Sequence, residues 1–224
     1  ILGFSELGEA RSAAQPRLQG MFASIHGAGE RMLVLVNNLL DLSRLESPVG
    51  EIRRQPQDIA PALRAVGEEL QGMAQARQLR LQLPSAGAPA LWVSGDAFRL
   101  QQVLRNVLAN AIRFAPEGSA IGIDWQARPG GEHRITVRDH GPGIPPAELE
   151  SIFESFVQSS RTKDGSGGTG LGLAICRKIM DGHGGRISAS NHPEGGAEFQ
   201  ICLPALTEPE VVAAQAMARA KATA

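Results

Sequence analysis

One glycine-rich stretch of the chain has residue types and a spacing that could do chemistry. Glycines alternate at Gly168, Gly170 and Gly172, directly before an amphipathic run. Glycine lets backbone N–H groups approach a phosphate closely, and a helix start adds partial positive charge. The stretch lacks the Gly-Lys-Ser/Thr of a Walker loop and does not follow a strand as a dinucleotide fingerprint does. It indicates either a phosphate contact or an ordinary turn at a helix start.

An acidic residue stands at the end of a predicted strand. Asp139 follows residues 135–138, and Gly141 and Gly143 come directly after it. A carboxylate there can accept a hydrogen bond from an exocyclic amine, and the glycines would let a flat base lie against the backbone. Taken alone, the stretch is more typical of a simple Asp-Gly turn.

A third stretch places polar residues on one face of an apolar helix. Asn106 and Asn110 are four residues apart, and Arg113 is three residues further on. This spacing brings all three to one side of a helix. Amide oxygens suit a hard cation such as Mg²⁺, and the guanidinium suits a phosphate. A merely polar face is the alternative, but two asparagines in so apolar a helix favour a function.

These stretches, taken in order, resemble the sensor histidine kinases of two-component systems. Residues 106–114 are similar to the family's N box, and residues 139–144 to its first glycine box. Phe153 and Phe156 resemble the F box, and residues 168–172 the second glycine box. Residues 183–187, with the later Gly195, Gly196 and Phe199, are similar to the closing segment. The resemblance extends to about Pro204, and so many motifs in one order make coincidence improbable.

The resemblance implies a fold and a division of the chain. An all-α helical hairpin, half of a dimeric four-helix bundle, would be followed by an α/β two-layer sandwich with a mixed sheet, the Bergerat-type fold of the GHKL ATPases and kinases. Residues 1–48 would form the dimerisation and phosphotransfer hairpin, and residues 49–57 a linker. Residues 58–204 would form the ATP-binding domain, and residues 205–224 an Ala-rich tail or linker.

The resemblance also implies roles for particular residues. Asp139 would read the adenine amine, Asn106 and Asn110 would hold Mg²⁺, and Phe153 and Phe156 would anchor a lid over residues 158–168. The nucleotide contacts implied are Asn106, Asn110, Arg113, Phe114, Asp139, Gly141, Gly143, Ile144, Phe153, Phe156, Gly168, Thr169, Gly170, Leu171, Gly172 and Leu173. Asn106 is the one candidate catalytic residue. The sequence departs from the family at Ser155, where Pro is common, and at Arg113, where Lys is common; Arg keeps the charge.

A heptad seam indicates how the first segment is used. Apolar residues recur at alternating steps of three and four, at Leu18, Met21, Ile25, Ala28, Met32, Leu35, Leu39 and Leu42. Such a seam predicts a long helix that packs along one stripe. With a shorter helix over residues 1–10 it would form a hairpin, which either pairs with a second copy or serves as a coiled-coil spacer.

The acceptor histidine of the family is expected on the first hairpin helix, and no such motif is present. The opening residues resemble the segment a few turns after that histidine, so we expect the acceptor to precede Ile1. His26 lies beside Ile25 without a following acid and Pro, which favours a solvated helix residue. We expect His183 to be structural and His133 and His192 to lie at the surface; His140 occupies a variable position of its box.

Composition narrows the function classes. Lys and Arg number 22 against 23 Asp and Glu, and this balance disfavours binding to nucleic acid or to an anionic membrane. The longest apolar run, Met32 to Val36, is far too short for a bilayer. Two cysteines suit a reducing compartment. We therefore expect a cytoplasmic fragment, whose parent the resemblance places at the bacterial inner membrane.

The expected activity is ATP-dependent phosphorylation of a histidine and transfer to an aspartate of a response regulator, with ATP and Mg²⁺ as cofactors and a homodimer as the assembly. One alternative is a GHKL-type ATPase, which places Glu where this chain has Asn106. An amide cannot accept a proton from water, so the sequence disfavours that activity. A degenerate kinase that only dimerises and binds a partner is the other alternative.

Local patterns predict the elements that position these residues. Asp58 and Asp96 each precede a helical run, ending near residue 78 and at Phe114. Alternating apolar residues predict strands near Leu81, near Trp92, at 121–123 paired with 135–137, and a closing hairpin at 187–203.

Overall fold

The computed structural model describes residues 1–46, 52–85, 87–128, 131–162 and 168–222. Helices α1 (Leu2–Arg11) and α2 (Pro16–Glu46) form the predicted hairpin. The turn between them ends at Pro16, the first residue of α2. Proline suits the first turn of a helix, where its missing N–H has no partner to lose.

The two hairpin helices pack through small residues. A side chain at Gly8 would overlap the ring of Phe22, and one at Gly29 would lie 2.8 Å from Leu2. The apolar seam faces away from this contact, and Met32 on it is 63% exposed. The hairpin therefore closes on one face of α2 and leaves most of the heptad seam exposed, whereas Leu42 at its end packs against the core.

The second part of the chain is a mixed sheet packed against helices. Strands β2 (Arg80–Gln82), β4 (Ala120–Gln126), β5 (Glu132–Arg138), β7 (Ala197–Pro204) and β6 (Arg186–Asn191) lie side by side in that order. Strand β2 runs parallel to β4, and the other neighbours are antiparallel. Strands β1 (Gln55–Asp58) and β3 (Trp92–Gly95) form a separate antiparallel pair.

Helix α4 (Ala97–Phe114) is the centre of the helical layer, between α3 (Ala60–Ala76) and α5 (Gly172–Gly182). Its core face, with Leu104 and Leu108, is buried. The predicted cap is confirmed, since Asp96 accepts a hydrogen bond from the Arg99 amide at 3.2 Å. The two-layer α/β sandwich that the sequence predicts is therefore confirmed, and a last helix, α6 (Glu208–Ala222), follows the sheet.

One predicted boundary needs correction. The linker expected at 49–57 contains most of β1, because Gln55 and Gln57 lie in that strand; its residues 49–51 lie outside the described part of the chain. The strand has no apolar alternation to reveal it. It is held by pairing with β3, and the Gln57 side chain donates to the Gly95 carbonyl at 2.5 Å.

Among the helices of the described ranges, none is long and apolar enough to cross a membrane.

Candidate functional site

A cavity of about 320 Å³ lies beside α4, between the loop after β5 and the stretch that leads into α5. It brings together most of the residues that the sequence singled out. Those on its wall are Asn106, Asn110, Arg113, Phe114, Asp139, Gly143, Ile144, Gly168, Thr169, Gly170, Gly172 and Leu173. The remaining candidates, Gly141, Phe153, Phe156 and Leu171, do not line it. Residues 163–167 of the expected lid lie outside the described part of the chain.

The polar face of α4 forms one wall of the cavity. Asn106, Asn110 and Arg113 are half-buried on it, opposite the core face of the same helix. The Asn106 amide nitrogen donates to the Gly172 carbonyl at 3.2 Å. Because the nitrogen of the side-chain amide makes this bond, the side-chain oxygen of Asn106 is left for a ligand. The Arg113 guanidinium lies against its neighbour Phe114, 4.9 Å from the ring centre.

Asp139 supplies a buried carboxylate to another part of the wall. Its side chain is 5% exposed, and Oδ1 accepts from the Gly141 amide at 2.7 Å and the Ala197 amide at 3.2 Å. Burial raises the pKa of Asp139 above its ordinary value, although these two hydrogen bonds oppose the shift. Within the described ranges Oδ2 has no hydrogen-bond donor, so it is the oxygen left for a ligand. Gly141 thus supports the carboxylate from outside the cavity.

The second glycine stretch has the close approach that its composition predicts. Gly170 has φ +69°, and a Cβ there would lie 2.6 Å from the Phe156 carbonyl carbon. The Phe156 amide donates to the Gly170 carbonyl at 2.9 Å. The chain segments before and after the expected lid therefore cross here, and only glycine fits at position 170. Leu171 is fully buried in the core and begins the turn into α5.

The two phenylalanines of the F box have different environments. Phe153 is 3% exposed, meets Phe199 edge-on at 6.4 Å, and carries the Arg177 guanidinium 4.5 Å from its ring centre. Phe156 is 61% exposed and has φ +68°. That both residues anchor the lid stays a prediction, in which Phe156 would act through its backbone bond to Gly170 while its ring faces solvent.

The described part of the lid is held by hydrogen bonds to its surroundings. The Ser160 amide donates to Glu148 at 3.0 Å, and Arg161 donates to the Pro142 carbonyl at 2.6 Å. The side-chain amide nitrogen of Gln158 donates to the Gly168 carbonyl at 2.5 Å. These contacts join residues 158–161 to both glycine boxes across the cavity.

The comparisons with known proteins agree with this arrangement. Residues 95–207, just over half of the chain, match the family model described as "Histidine kinase-, DNA gyrase B-, and HSP90-like ATPase". The chain belongs to this ATPase family.

Within the family, the similar proteins are sensor kinases. The chain is 39% identical to the sensor protein KdpD of Escherichia coli (strain K12), across 79% of this chain and 19% of that protein. It is 34% identical to the alginate biosynthesis sensor protein KinB of Pseudomonas aeruginosa, across 85% of this chain and 31% of that protein. The chain thus spans less than a third of the length of either relative.

Solved structures extend the likeness to the fold. Full-length ShkA in complex with AMPPNP superposes with a TM-score of 0.73 at 30% identity, across 92% of this chain and 42% of that one. The mycobacterial sensor histidine kinase MprB has a TM-score of 0.62 at 27% identity, across 68% of this chain and 99% of that one. The sensor histidine kinase with a GHKL-type ATPase domain, expected from the motifs, is confirmed as the family of this chain.

The residues of this kinase-type site fit a magnesium ion of the kind the sequence predicts. Asn106 and Asn110 present amide groups to one cavity from one helix face. Mg²⁺ prefers oxygen ligands and usually keeps waters or substrate phosphates in its shell, so two protein oxygens suffice. In the described ranges no cluster of three or more His, Cys, Asp or Glu side chains offers another metal site.

The histidines are placed partly as expected. His183 is structural: Nε2 accepts from the Asp96 amide at 2.9 Å, and Nδ1 donates to the Ile179 carbonyl at 2.7 Å. The surface position predicted for His133 is wrong, because it is 2% exposed and bonded to Arg128 and Trp92. Burial lowers the pKa of both His133 and His183.

His26 is also less solvated than its sequence context predicts. It is half-buried, with Nδ1 3.2 Å from the Ser5 hydroxyl of α1 and Nε2 3.5 Å from Glu30. It therefore joins the two hairpin helices and does not line the cavity.

Sequence reasoning missed the contribution of α2 to the site. Val34 and Asn38 of α2 line the cavity, and the Asn38 amide donates to the Thr169 hydroxyl at 3.2 Å. Asp41, one turn further along α2, accepts from Arg99 at 3.3 Å and from Gln102 at 2.8 Å. The polar residues Asn38 and Asp41 interrupt the apolar end of α2, and this interruption is the signal that could have revealed the contact.

Asn191 is a further residue near the site that the sequence did not predict. It ends β6 and bonds through its side chain to the backbone of Ile144. The neighbouring Gly195 and Gly196 belong to the segment that resembles the family. A single exposed asparagine at the end of a strand, by contrast, gives no local signal.

Proposed function

We propose that this chain is the catalytic core of a sensor histidine kinase, which binds Mg-ATP in the cavity beside α4. The γ-phosphoryl group would pass to a histidine nitrogen as its bond to the β-phosphate oxygen breaks and ADP leaves, and would then pass to an aspartate of a receiver domain. The observation that carries the proposal is the meeting, in one cavity, of the buried Asp139 carboxylate with the Asn106, Asn110 and Arg113 face.

Each group has a task that its position supports. Phosphoryl transfer depends on positioning and on neutralising charge more than on covalent chemistry by the protein. Asp139 Oδ2 accepts a hydrogen bond from the adenine amine, and Arg113 faces the phosphates beside Gly168. Bound at Asn106 and Asn110, Mg²⁺ would neutralise phosphate charge.

Kinase activity is favoured over ATP hydrolysis by the chemistry of one position. Asn106 stands where the related ATPases have a glutamate, and its amide nitrogen already donates to Gly172. A side-chain amide has no basic site with which to take a proton from an attacking water. Position 106 thus offers no general base for hydrolysis.

We place the phosphate acceptor on a histidine outside this chain. The hairpin's one histidine, His26, lies between Ser5 and Glu30, away from the cavity wall. Its contacts serve the packing of α1 against α2.

The exposed seam of α2 supports dimerisation. Met21, Met32 and Leu39 are 55%, 63% and 39% exposed, and they lie on one continuous apolar stripe. Pairing with the same stripe of a second copy would cover both in a four-helix bundle. The bundle would then present the acceptor histidine to the nucleotide and to the receiver domain.

The decisive experiment is incubation with γ-labelled ATP. This chain and a longer chain that includes the preceding segment of the parent protein are compared, with His26→Gln in both as the control. We expect acid-labile label on the longer chain alone, unchanged by the control substitution. Label on this chain that disappears in His26→Gln would identify His26 as the acceptor, and rapid release of phosphate without labelled protein would favour an ATPase. ATP binding without label on either chain would favour a degenerate, partner-binding module.

A further inference from the structure

Asn191 forms a two-bond bridge to a loop that is distant in sequence. Its Oδ1 accepts from the Ile144 amide at 2.8 Å, and its Nδ2 donates to the Ile144 carbonyl at 2.6 Å. A side-chain amide thus satisfies both backbone groups of one residue, as a neighbouring strand would do. Because Ile144 belongs to neither a helix nor a strand, this bridge replaces the secondary structure that would otherwise fix its position.

The bridge sits directly against the cavity wall. Gly143 and Ile144 both line the cavity, and Gly143 has φ +70°. A Cβ at position 143 would lie 2.7 Å from Asn191 Oδ1. The glycine therefore lets the Asn191 amide approach the loop closely, although Asn191 itself does not line the cavity.

The turn that begins at Asn191 also holds the other end of the same loop. The Ala197 amide donates to Asp139 Oδ1 at 3.2 Å, and the Asp139 amide donates to the Ala197 carbonyl at 3.0 Å. Gly196, with φ +88°, lies so close to the Asp139 carbonyl that a Cβ would overlap it. The β6–β7 turn therefore holds the loop at Asp139 through Ala197 and at Ile144 through Asn191.

We propose that Asn191 is a positioning residue for the adenine subsite. It fixes Gly143 and Ile144 at the spacing from Asp139 that an adenine ring requires, and this inference rests on the proposed ATP-binding function. Loss of Asn191 would free the Ile144 end of the loop and leave the two hydrogen bonds to Asp139 Oδ1 in place. The expected effect lies in base recognition, because both of these Asn191 side-chain hydrogen bonds go to Ile144 beside Asp139.

The test compares Asn191→Ala with the parent chain and with Ser188→Ala, which changes another exposed residue of β6. Asn191 is itself exposed, so its removal opens no core cavity, and we expect the melting temperature to fall by only about 2–4 °C through the lost hydrogen bonds, while that of Ser188→Ala stays unchanged. The loss of two hydrogen bonds should weaken Mg-ATP binding about tenfold. The Ile144 amide should exchange its hydrogen about fivefold faster without nucleotide. The affinity ratio of ATP over GTP should fall, which a merely structural role would not produce.

A second variant separates the two bonds. Asn191→Asp keeps the acceptor for the Ile144 amide but sets a carboxylate oxygen against the Ile144 carbonyl, so we expect weaker ATP binding than in the parent. Unchanged ATP affinity and base preference in both variants would overturn the inference while leaving the proposed function intact. Failure of the parent chain to bind Mg-ATP would overturn the proposed function and the inference together.

Discussion

Replacing Asp139 by asparagine tests base recognition at a single atom. Asp139 Oδ1 accepts hydrogen bonds from the Gly141 and Ala197 amides at 2.7 and 3.2 Å. An asparagine oxygen can accept both, so the loop keeps its support. The change falls on Oδ2, where an acceptor becomes an NH₂ donor that faces the donor amine of adenine.

The size of the effect follows from two contributions. A hydrogen bond to a charged acceptor is worth about 1.5–3 kcal/mol, and a buried donor left without an acceptor costs about 1–3 kcal/mol. At about 1.4 kcal/mol for each factor of ten, their sum predicts Mg-ATP binding weakened by about 100-fold or more.

Although Asp139→Asn should weaken ATP binding, it should not lower the stability of the fold. Burial raises the pKa of Asp139, so between its ordinary and its folded value the folded chain binds more protons than the unfolded chain. The free energy of unfolding therefore falls as the pH rises through that window, and the cost persists at neutral pH. A neutral asparagine removes this cost, so the melting temperature of Asp139→Asn should equal or exceed that of the parent.

The assay is a calorimetric titration with Mg-ATP, paired with thermal melting. Asp124→Asn, an exposed carboxylate of β4, is the matched control and should change neither quantity. An Asp139→Asn variant that binds ATP within a factor of two of the parent would refute the role of Asp139 in reading adenine. A large drop in its melting temperature would refute the stability argument.

Three further predictions concern the dimer, the buried histidines and the β6–β7 turn. Leu35→Asp places a charge on the exposed seam and should shift the chain in sedimentation from a dimer toward the 23.7 kDa monomer. Burial lowers the pKa of His133 and His183. The unfolded chain therefore binds more protons than the folded chain below about pH 6.5. Urea unfolding should show that the free energy of unfolding falls as the pH is lowered from 7.5 to 5.5. Gly196→Ala should cost about 1–3 kcal/mol more than Gly195→Ala in urea unfolding, because both have positive φ but only Gly196 meets the Asp139 backbone.

Each of these has a contrary outcome. Asn37→Asp changes an exposed residue of α2 off the seam and should leave the sedimentation unchanged; a monomeric parent chain would contradict the bundle. A free energy of unfolding that increases as the pH is lowered from 7.5 to 5.5 would contradict neutral, buried His133 and His183. Equal losses in Gly196→Ala and Gly195→Ala would show that close approach to Asp139 contributes little.

Local sequence patterns predicted the elements whose signals are themselves local. The cap at Asp96 and the apolar face of α4 lie within one stretch of chain, and both are confirmed. Strands β4 and β5 pair with each other, as the alternation at 121–123 and 135–137 predicts. In each case the residues that create the signal are those that form the element.

Elements that depend on distant partners were not predicted. Strand β1 exists because β3 pairs with it, and its own residues Gln55 and Pro56 give no strand signal. His133 is buried because Trp92 and Arg128 surround it, although it lies in a polar stretch. The exposed ring of Phe156 follows from its backbone crossing with Gly170, which spacing along the chain does not encode.

The site divides in the same way. Helix periodicity places Asn106, Asn110 and Arg113 on one face, and the strand end before Asp139 points into the same cavity, so these residues could be predicted. Apart from the nearby Gly141, Asp139 is held by Ala197 of β7, 58 residues further along the chain, and Ile144 is held by Asn191 of β6, 47 residues away. No short pattern connects them, so a structure was needed to find Asn191.

The position of α2 ties the uncovered seam to the nucleotide cavity. Leu35 and Leu39 belong to the seam, whereas Val34 and Asn38, each one residue earlier, line the cavity. Successive residues of an α-helix are about 100° apart, so the two faces adjoin on one rigid element. The Asn38 side-chain amide lies 3.2 Å from the Thr169 hydroxyl, so a rotation of α2 that repacks the seam would change this contact. The exception would be a rotation in which α4 moves together with α2, through the hydrogen bond between Arg99 and Asp41. In the proposed bundle, packing of the seam and the shape of the cavity would thus be linked mechanically through a single helix.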